Sequence, residues 1–308
     1  MSEIDIVMPI RDAMPYLPAA VESLQAQTSS SWRLLIVDDG SVDGGPEWCE
    51  SLDDDRICVI TANGRGISDA LNTGIAAATA PLIGRMDGDD ISAPTRLHRQ
   101  LERMAEGDLV ALGTSYVVID EEDARIAVQR VPSGPVALRD ALRWTNPFCH
   151  GSLVFQAEAI RHVGGYREDF PLAEDYDLML RLVAIGDTDN LDAPLYSWRL
   201  SLASTSVRRP RRQATQAVRA RRDARRRGLL PAPPLRNRLT DIAAPLVEHV
   251  EAFRRASPGT VGHRWRAGLH LGAGNYQAAL REYDALLKGD PLDLAARFRR
   301  RRVRRVSR

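Results

Sequence analysis

Apolar runs and helix-period segments alternate through the first 110 residues. IDIVMPI (4–10) reads as a strand, and LPAAVESLQAQ (17–27) places Leu17, Ala20, Val21 and Leu24 at helical spacing. WRLLIVDDGS (32–41) opens as a continuous apolar strand and stops in a polar turn. RICVITAN (56–63) is a third strand, ISDALNTGIAAAT (67–79) the helix after it, and APLIGRMD (80–87) a fourth strand. Strands that are apolar throughout, rather than alternating, are covered on both faces. The pattern therefore predicts an α/β fold with an open, mostly parallel sheet and helices on both sides.

Beyond residue 92 the order changes. SAPTRLHRQLERM (92–104) reads as a helix with Ser92 at its N-cap and Leu97, Leu101 and Met104 on one face. LVALGTSYVVID (109–120) is a strand, and SLVFQAEAIRHVGGY (152–166) a strand, a helix and a glycine turn. EDYDLMLRLVAIG (174–186) is a helix closed by Gly186, and DAPLYSWRL (192–200) returns to the sheet. From Arg208 a basic, helix-compatible stretch leads to the Pro-rich break LLPAPPLRN (229–237). A small all-α region follows, in which residues 265–291 form a helix–turn–helix. Gly274, Tyr276, Ala279, Tyr283 and Pro291 sit there as in a tetratricopeptide-like repeat. One such unit cannot bury its own face, so an ordinary helical hairpin is the favoured reading. The expected organisation is a catalytic-type domain over 1–207, a basic helix and linker over 208–238, and a helical region with an Arg-rich tail over 239–308.

Charge changes this picture. Residues 1–207 hold 16 Arg against 33 Asp and Glu, whereas residues 208–308 hold 26 Lys and Arg against 8 acidic residues. A basic tail on an acidic body implies an anionic partner: a membrane surface, a polyanion, or the body itself. Nucleic acid is not expected, because the final ten residues interleave no aromatic side chain among their arginines and the body repels phosphate. No apolar run is long enough to span a bilayer, and MSEIDIVMPI lacks the basic n-region of a signal peptide. A cytoplasmic protein, peripheral to the membrane through its tail, is expected. Cys49, Cys58 and Cys149 show no ligand spacing and read as thiols in a reducing compartment.

Carboxylates mark the candidate chemistry. Asp38 and Asp39 follow the second strand, and Asp87, Asp89 and Asp90 follow the fourth. Glu174 and Asp175 open a later helix. In an open α/β sheet the carboxyl ends of the strands form the ligand crevice. Each cluster alone fits an ordinary turn or helix start. Three of them at strand or helix junctions point instead to a shared site. Three aspartates within four positions repel one another, and a hard cation shared with substrate phosphates would relieve them; Mg²⁺ or Mn²⁺ is expected. The chain lacks Gly-x-Gly-x-x-Gly and Walker-type loops, which argues against a dinucleotide fold or a P-loop ATPase.

The order IVMPIRD, VDDGSVDG, NGRGISDALNTGI, MDGDD, HGSLVF, GGYREDF and AEDYDLMLRL resembles glycosyltransferase family 2, of the GT-A fold, over about residues 4–207. The resemblance implies inverting transfer of a sugar from a nucleotide-diphosphate sugar, a UDP-sugar by default, to a hydroxyl of a glycan or lipid-linked acceptor in envelope or exopolysaccharide synthesis. It implies nucleotide and donor contacts at Pro9, Asp38, Asp39, Asn63, Arg65, Gly66, Asn72, Asp87 and Gly88. It further implies metal coordination around Asp87, Asp89 and Asp90, and a catalytic base at Asp175. Trp198 and Arg199 fall where relatives close the donor site; with His150 and Glu174 they are candidates for the acceptor side. Leu71 departs from the pattern, because many relatives carry a basic residue there; Arg65 or Arg85 could take over that phosphate contact. The alternative is a degenerate domain that works as an adaptor through its basic tail.

Overall fold

The computed structural model describes residues 2–201, 209–230, 276–289 and 300. Four strands, β1 (Ile4–Ile10), β2 (Trp32–Asp38), β3 (Ile57–Thr61) and β4 (Leu82–Arg85), pair in parallel. They alternate with helices α1 (Leu17–Gln25), α2 (Gly45–Glu50) and α3 (Ile67–Ala77). The two-residue strand β5 (Ile91–Ser92), helix α4 (Arg96–Met104) and strands β6 (Leu109–Ile119) and β7 (Arg125–Gln129) follow. Helix α5 (Pro135–Leu142), a 3₁₀ turn at His150–Ser152, β8 (Val154–Gln156), α6 (Ala157–His162), α7 (Glu174–Leu182) and β9 (Asp187–Arg199) complete this part. The sheet runs β3-β2-β1-β4-β8-β6-β9-β5, with β7 paired to β6. Its parallel half turns mixed at β8, which is antiparallel to both β4 and β6.

Alternate residues of β1 serve two cores, as continuous apolar strands require. Ile4, Ile6 and Met8 join Leu34, Ile36 and the α1 residues Leu17, Val21 and Leu24 on one face. Val7 joins Leu35, Val37 and residues of α3, α6 and α7 on the other. Helix α3 lies so close to the sheet that a Cβ at Gly74 would fall 2.4 Å from Val7 Cγ1. Pro9, which has no N–H to give, lies past the last β1–β4 pair at Val7 and Arg85.

The chain divides into two compact units, one of Met1–Val117, Gln129–Arg199 and Gln216–Leu230, the other of Val118–Val128, Leu200–Thr215 and Pro231–Arg308. Helix α8 (Pro210–Arg226) contributes its residues from Gln216 onward to the first. There Ala220, Ala224 and Leu230 enter the core, Asp223 pairs with Arg167 at 2.8 Å, and Arg219 donates to the Asp169 carbonyl at 2.9 Å. These α8 side chains of the basic segment are thus spent on the acidic body. In the second unit Asp120 accepts the Ala124 N–H at 2.8 Å in the turn between β6 and β7. Helix α9 (Tyr276–Gly289) there carries Tyr283 and Leu286 in a small apolar cluster. The first helix of the expected hairpin, the linker from Pro231 and the Arg-rich tail beyond Arg300 lie outside the described residues.

One boundary differs in an instructive way. Ser92 is not a helix cap: it pairs with Tyr196 in the β5–β9 ladder, and α4 begins four residues later. The cap comes from elsewhere, because Gln27 Oε1 accepts the Leu97 N–H at 3.0 Å.

Candidate functional site

The loops leaving β1, β2 and β3 are joined at their tips. Asp38 Oδ1 accepts the Ser41 N–H at 2.9 Å, closing the turn of the DDGS stretch. Asp39 Oδ1 reaches across to accept the Gly66 N–H at 3.1 Å, and Arg11 lies 3.5 Å from its other oxygen. Asp12 and Ser41 exchange contacts with the facing loop: Val42 N donates to Asp12 and Asp12 N to Ser41 Oγ. Asp12 adopts φ +52°, a left-handed conformation that a short polar side chain tolerates. Asn63 and Arg65 both bind Asp69 on α3, a carboxylate whose part the sequence did not reveal. The candidates Pro9, Asp38, Asp39, Asn63, Arg65 and Gly66 therefore share one rim at the carboxyl ends of parallel strands.

The DGDD stretch leaves β4 along the same rim, and three arginines lie around it. Arg85 is only 3% exposed, with Nη1 2.5 Å from Asp87 Oδ2 in an ionic contact that lacks hydrogen-bond alignment. Burial is the largest influence and opposes its charge, but Asp87 together with Tyr196 and Tyr166 outweighs it and keeps the guanidinium protonated. Arg96 is buried beneath, donating to the Arg85 carbonyl at 2.7 Å and to Gln100 at 3.0 Å, and it lies over the Tyr196 ring. Burial first, and then Arg85, pull its pKa down to about 10 despite nearby Tyr196 and Asp90. Arg199 donates its N–H to Asp90 Oδ1 at 2.7 Å and its Nε–H to the Asp89 carbonyl at 2.7 Å, and covers the Tyr16 ring. Tyr196, 1% exposed, donates its hydroxyl to Asp90 Oδ2 at 2.6 Å and accepts the Asp87 N–H at 3.1 Å.

These contacts separate the three aspartates. Both Asp90 oxygens are engaged and its residue is 1% exposed, so it secures β9 and is not an available metal ligand, contrary to expectation. Asp87 and Asp89 stay partly accessible. Burial and the charge of Asp87 push Asp89 up to about 6. Among the described residues no three His, Cys, Asp or Glu side chains are gathered to hold a metal ion by themselves.

A second acidic group comes from α7. Asp175 accepts the Tyr176 N–H at 2.7 Å and the Asn146 amide at 2.8 Å. Burial raises its pKa, opposed by these two hydrogen bonds and by Arg85. Burial and Asp175 push Glu174 up to about 7. The charge of Arg85 acts on Asp89, Glu174 and Asp175 alike. His150 Nε2 lies 2.7 Å from the Tyr166 hydroxyl, and burial together with Arg85 keeps the imidazole neutral.

Other candidates have structural work. Asn72 binds the Tyr166 main chain with both ends of its amide, at 2.8 Å each. Gly88 is buried, and a Cβ there would fall 2.9 Å from Ile10 Cγ2, so close packing accounts for the glycine. Trp198, partly buried, stands edge-on to Tyr116 against the apolar cluster, and Arg199 is buried. Arg85, locked under Asp87, is not an exposed phosphate ligand either.

The fold is that of GT-A glycosyltransferases, and solved structures share it. TarS of S. aureus in complex with UDP-GlcNAc superposes with a TM-score of 0.62 at 13% identity, covering 93% of this chain and 82% of that one. The mannosyltransferase PcManGT from Pyrobaculum calidifontis, in complex with GDP-Man and Mn²⁺, gives 0.57 at 20% identity over 98% and 84%. The family model of glycosyl transferase family 2 matches residues 5–164, and the chain belongs to that family. Among curated proteins, the putative glycosyltransferase EpsE of Bacillus subtilis is 31% identical over 64% of this chain and 73% of its own length. The O-antigen biosynthesis glycosyltransferase WbnJ of Escherichia coli is 30% identical over 66% and 81%. The protein is a glycosyltransferase.

Proposed function

We propose that this enzyme transfers a sugar from a UDP-sugar to a glycan or lipid-linked acceptor hydroxyl, with inversion, in cell-envelope or exopolysaccharide synthesis. Arg85 carries the reading: one buried cation acts on the carboxylates of the DGDD stretch and on those of α7, as expected where donor and acceptor meet. In this reading Asp39 and Asp38, with Pro9, Asn63, Arg65 and Gly66, receive the nucleoside. Asp175 takes the acceptor proton as the new bond forms; positioned general bases contribute about 10²–10⁴-fold. Its hydrogen bonds from Asn146 and Tyr176 oppose protonation by burial. Neutral His150 and Glu174 border the acceptor side.

A divalent cation fits the residues present. Asp87 and Asp89 supply two carboxylates, and the burial and the Asp87 charge that together raise Asp89 are what a cation would offset. Mn²⁺ or Mg²⁺ held by Asp89 and Asp87, without Asp90, would supply charge neutralisation for the leaving diphosphate. The named relative in O-antigen synthesis and the neighbours bound to UDP-GlcNAc or to GDP-Man and Mn²⁺ support a nucleotide-sugar donor and a glycan acceptor. No helix among the described residues is long and apolar enough to cross a membrane. Attachment of the Arg-rich tail to an anionic membrane surface gains no support from α8, whose described contacts are with the body.

The test is a panel of nucleotide sugars with Mn²⁺, read by nucleoside diphosphate release. Asp175→Asn should bind donor as the wild type does and fail to transfer. Normal turnover by that variant would remove Asp175 from the role of base.

A further inference from the structure

Asn146 lies between α5 and the 3₁₀ turn, on a segment held at both ends. Trp144 N and Thr145 N donate to the Ala141 carbonyl, and Arg221 of α8 donates to the Trp144 carbonyl. The Tyr176 hydroxyl donates to the Leu142 carbonyl at 2.5 Å, and Asn190 reaches the Pro147 carbonyl. The orientation of the Asn146 amide follows from its neighbours. Phe148 N–H can only donate, and it meets Asn146 Oδ1 at 3.2 Å. The NH₂ end therefore faces Asp175 Oδ2, at 2.8 Å. Asp175 Oδ1 is meanwhile held by Tyr176 N–H at 2.7 Å, so both oxygens of this carboxylate are oriented by fixed donors.

We propose that Asn146 is a positioning residue for the transfer reaction, whose amide N–H fixes the rotamer of Asp175 and favours its ionised form. The inference rests on the reading of Asp175 as the base and adds a residue that this reading did not require. A carboxylate in a buried site is driven towards the neutral acid, which cannot accept a proton from the acceptor. The charged and titratable groups acting on Asp175 are Glu174 beside it, Arg85 at the end of β4, Tyr166 before α7, and Tyr176, which is itself near Arg221 and Arg225. Asp175 drives Glu174 towards its neutral acid, and Arg85 favours the Asp175 anion. Asn146 is the side-chain donor among these contacts that hydrogen-bonds Asp175 directly.

Asparagine and aspartate are nearly isosteric, which separates a donor from a filler of space. In Asn146→Asp the donor becomes a second carboxylate against Asp175, and the two must share a proton. The carboxyl carbon of Asp175 can be followed by NMR in full-length protein labelled with ¹³C-aspartate and assigned by its absence in Asp175→Asn. No substrate is needed. The titration midpoint should rise by about one unit in Asn146→Ala and further in Asn146→Asp, since one variant loses a stabilising donor and the other also gains a like charge. UDP binding, followed in parallel, should stay at the wild-type level in both. An unmoved midpoint in both variants would overturn the proposal, leaving Asn146 a packing residue. If Asp175→Asn turns over a donor from the nucleotide-sugar panel normally, the base reading falls and the positioning role with it. If that variant is inactive while the midpoints stay fixed, the Asn146 inference alone fails.

Discussion

Tyr196 and Asp90 form a buried hydrogen bond of 2.6 Å that ties the far strand β9 to the loop leaving β4. The same hydroxyl accepts the Asp87 N–H, so one phenol holds both ends of the DGDD turn. Tyr196→Phe removes that proton and leaves a buried carboxylate oxygen without its donor. The expected cost is about 1–3 kcal/mol, because an orphaned buried acceptor forfeits its solvation. Chemical denaturation measures it. Nucleotide affinity should fall as well, since Asp87 loses its anchor.

Gly151 makes room for that phenol. A Cβ at position 151 would stand 2.1 Å from Tyr196 Oη, closer than any packing tolerates. Gly151→Ala should therefore destabilise by about 1–3 kcal/mol through overpacking and should displace Tyr196. Thermal melting gives the first effect. Comparison with Tyr196→Phe gives the second: the double variant should cost less than the sum of the two single ones.

Glu174 should impose a pH dependence on stability. Its pKa rises from the usual 4.5 to about 7 on folding, so between those values the native chain binds the extra proton. The contribution is complete below pH 4.5 and is lost as pH rises through about 7, by at most about 1.4 kcal/mol per unit. Glu174→Gln removes the penalty. Melts between about pH 5 and about pH 8 should then show a flatter profile for the variant than for the wild type.

Much of this was legible in the chain. Continuous apolar runs identified the four parallel strands, because strands covered on both faces leave no polar alternation. Acidic residues just beyond those strands marked the rim. The sequence could not show which charges lie beneath it. Arg96 sits in a helix among other arginines, and nothing in its spacing says that it is buried under Tyr196. The three aspartates seemed alike as metal ligands; the fold pairs Asp87 with Arg85 and holds Asp90 with Tyr196 and the Arg199 N–H.

Local signals also misled where a distant partner intervened. Ser-Ala-Pro before a helical run looks like a cap, yet Gln27 reaches across the fold to provide one. Asn72 and Arg199 matched positions of a family pattern, but Tyr166 and the Asp89–Asp90 turn engage them. Helices α2 and α5 went unread because each is short and offers too few turns for a period to emerge. Asn146 carried no motif at all. Its part appears only when the segment after α5 is folded against Asp175.

The central claim is that Asp87 and Asp89 share a divalent ion with the diphosphate of the donor. Calorimetric titration of UDP into wild type, Asp89→Asn and Asp87→Asn, each with and without Mn²⁺, addresses it most directly. The account predicts that Mn²⁺ tightens UDP binding in the wild type and that either substitution abolishes this gain while metal-free binding persists. Equal enhancement by Mn²⁺ in all three proteins would contradict it.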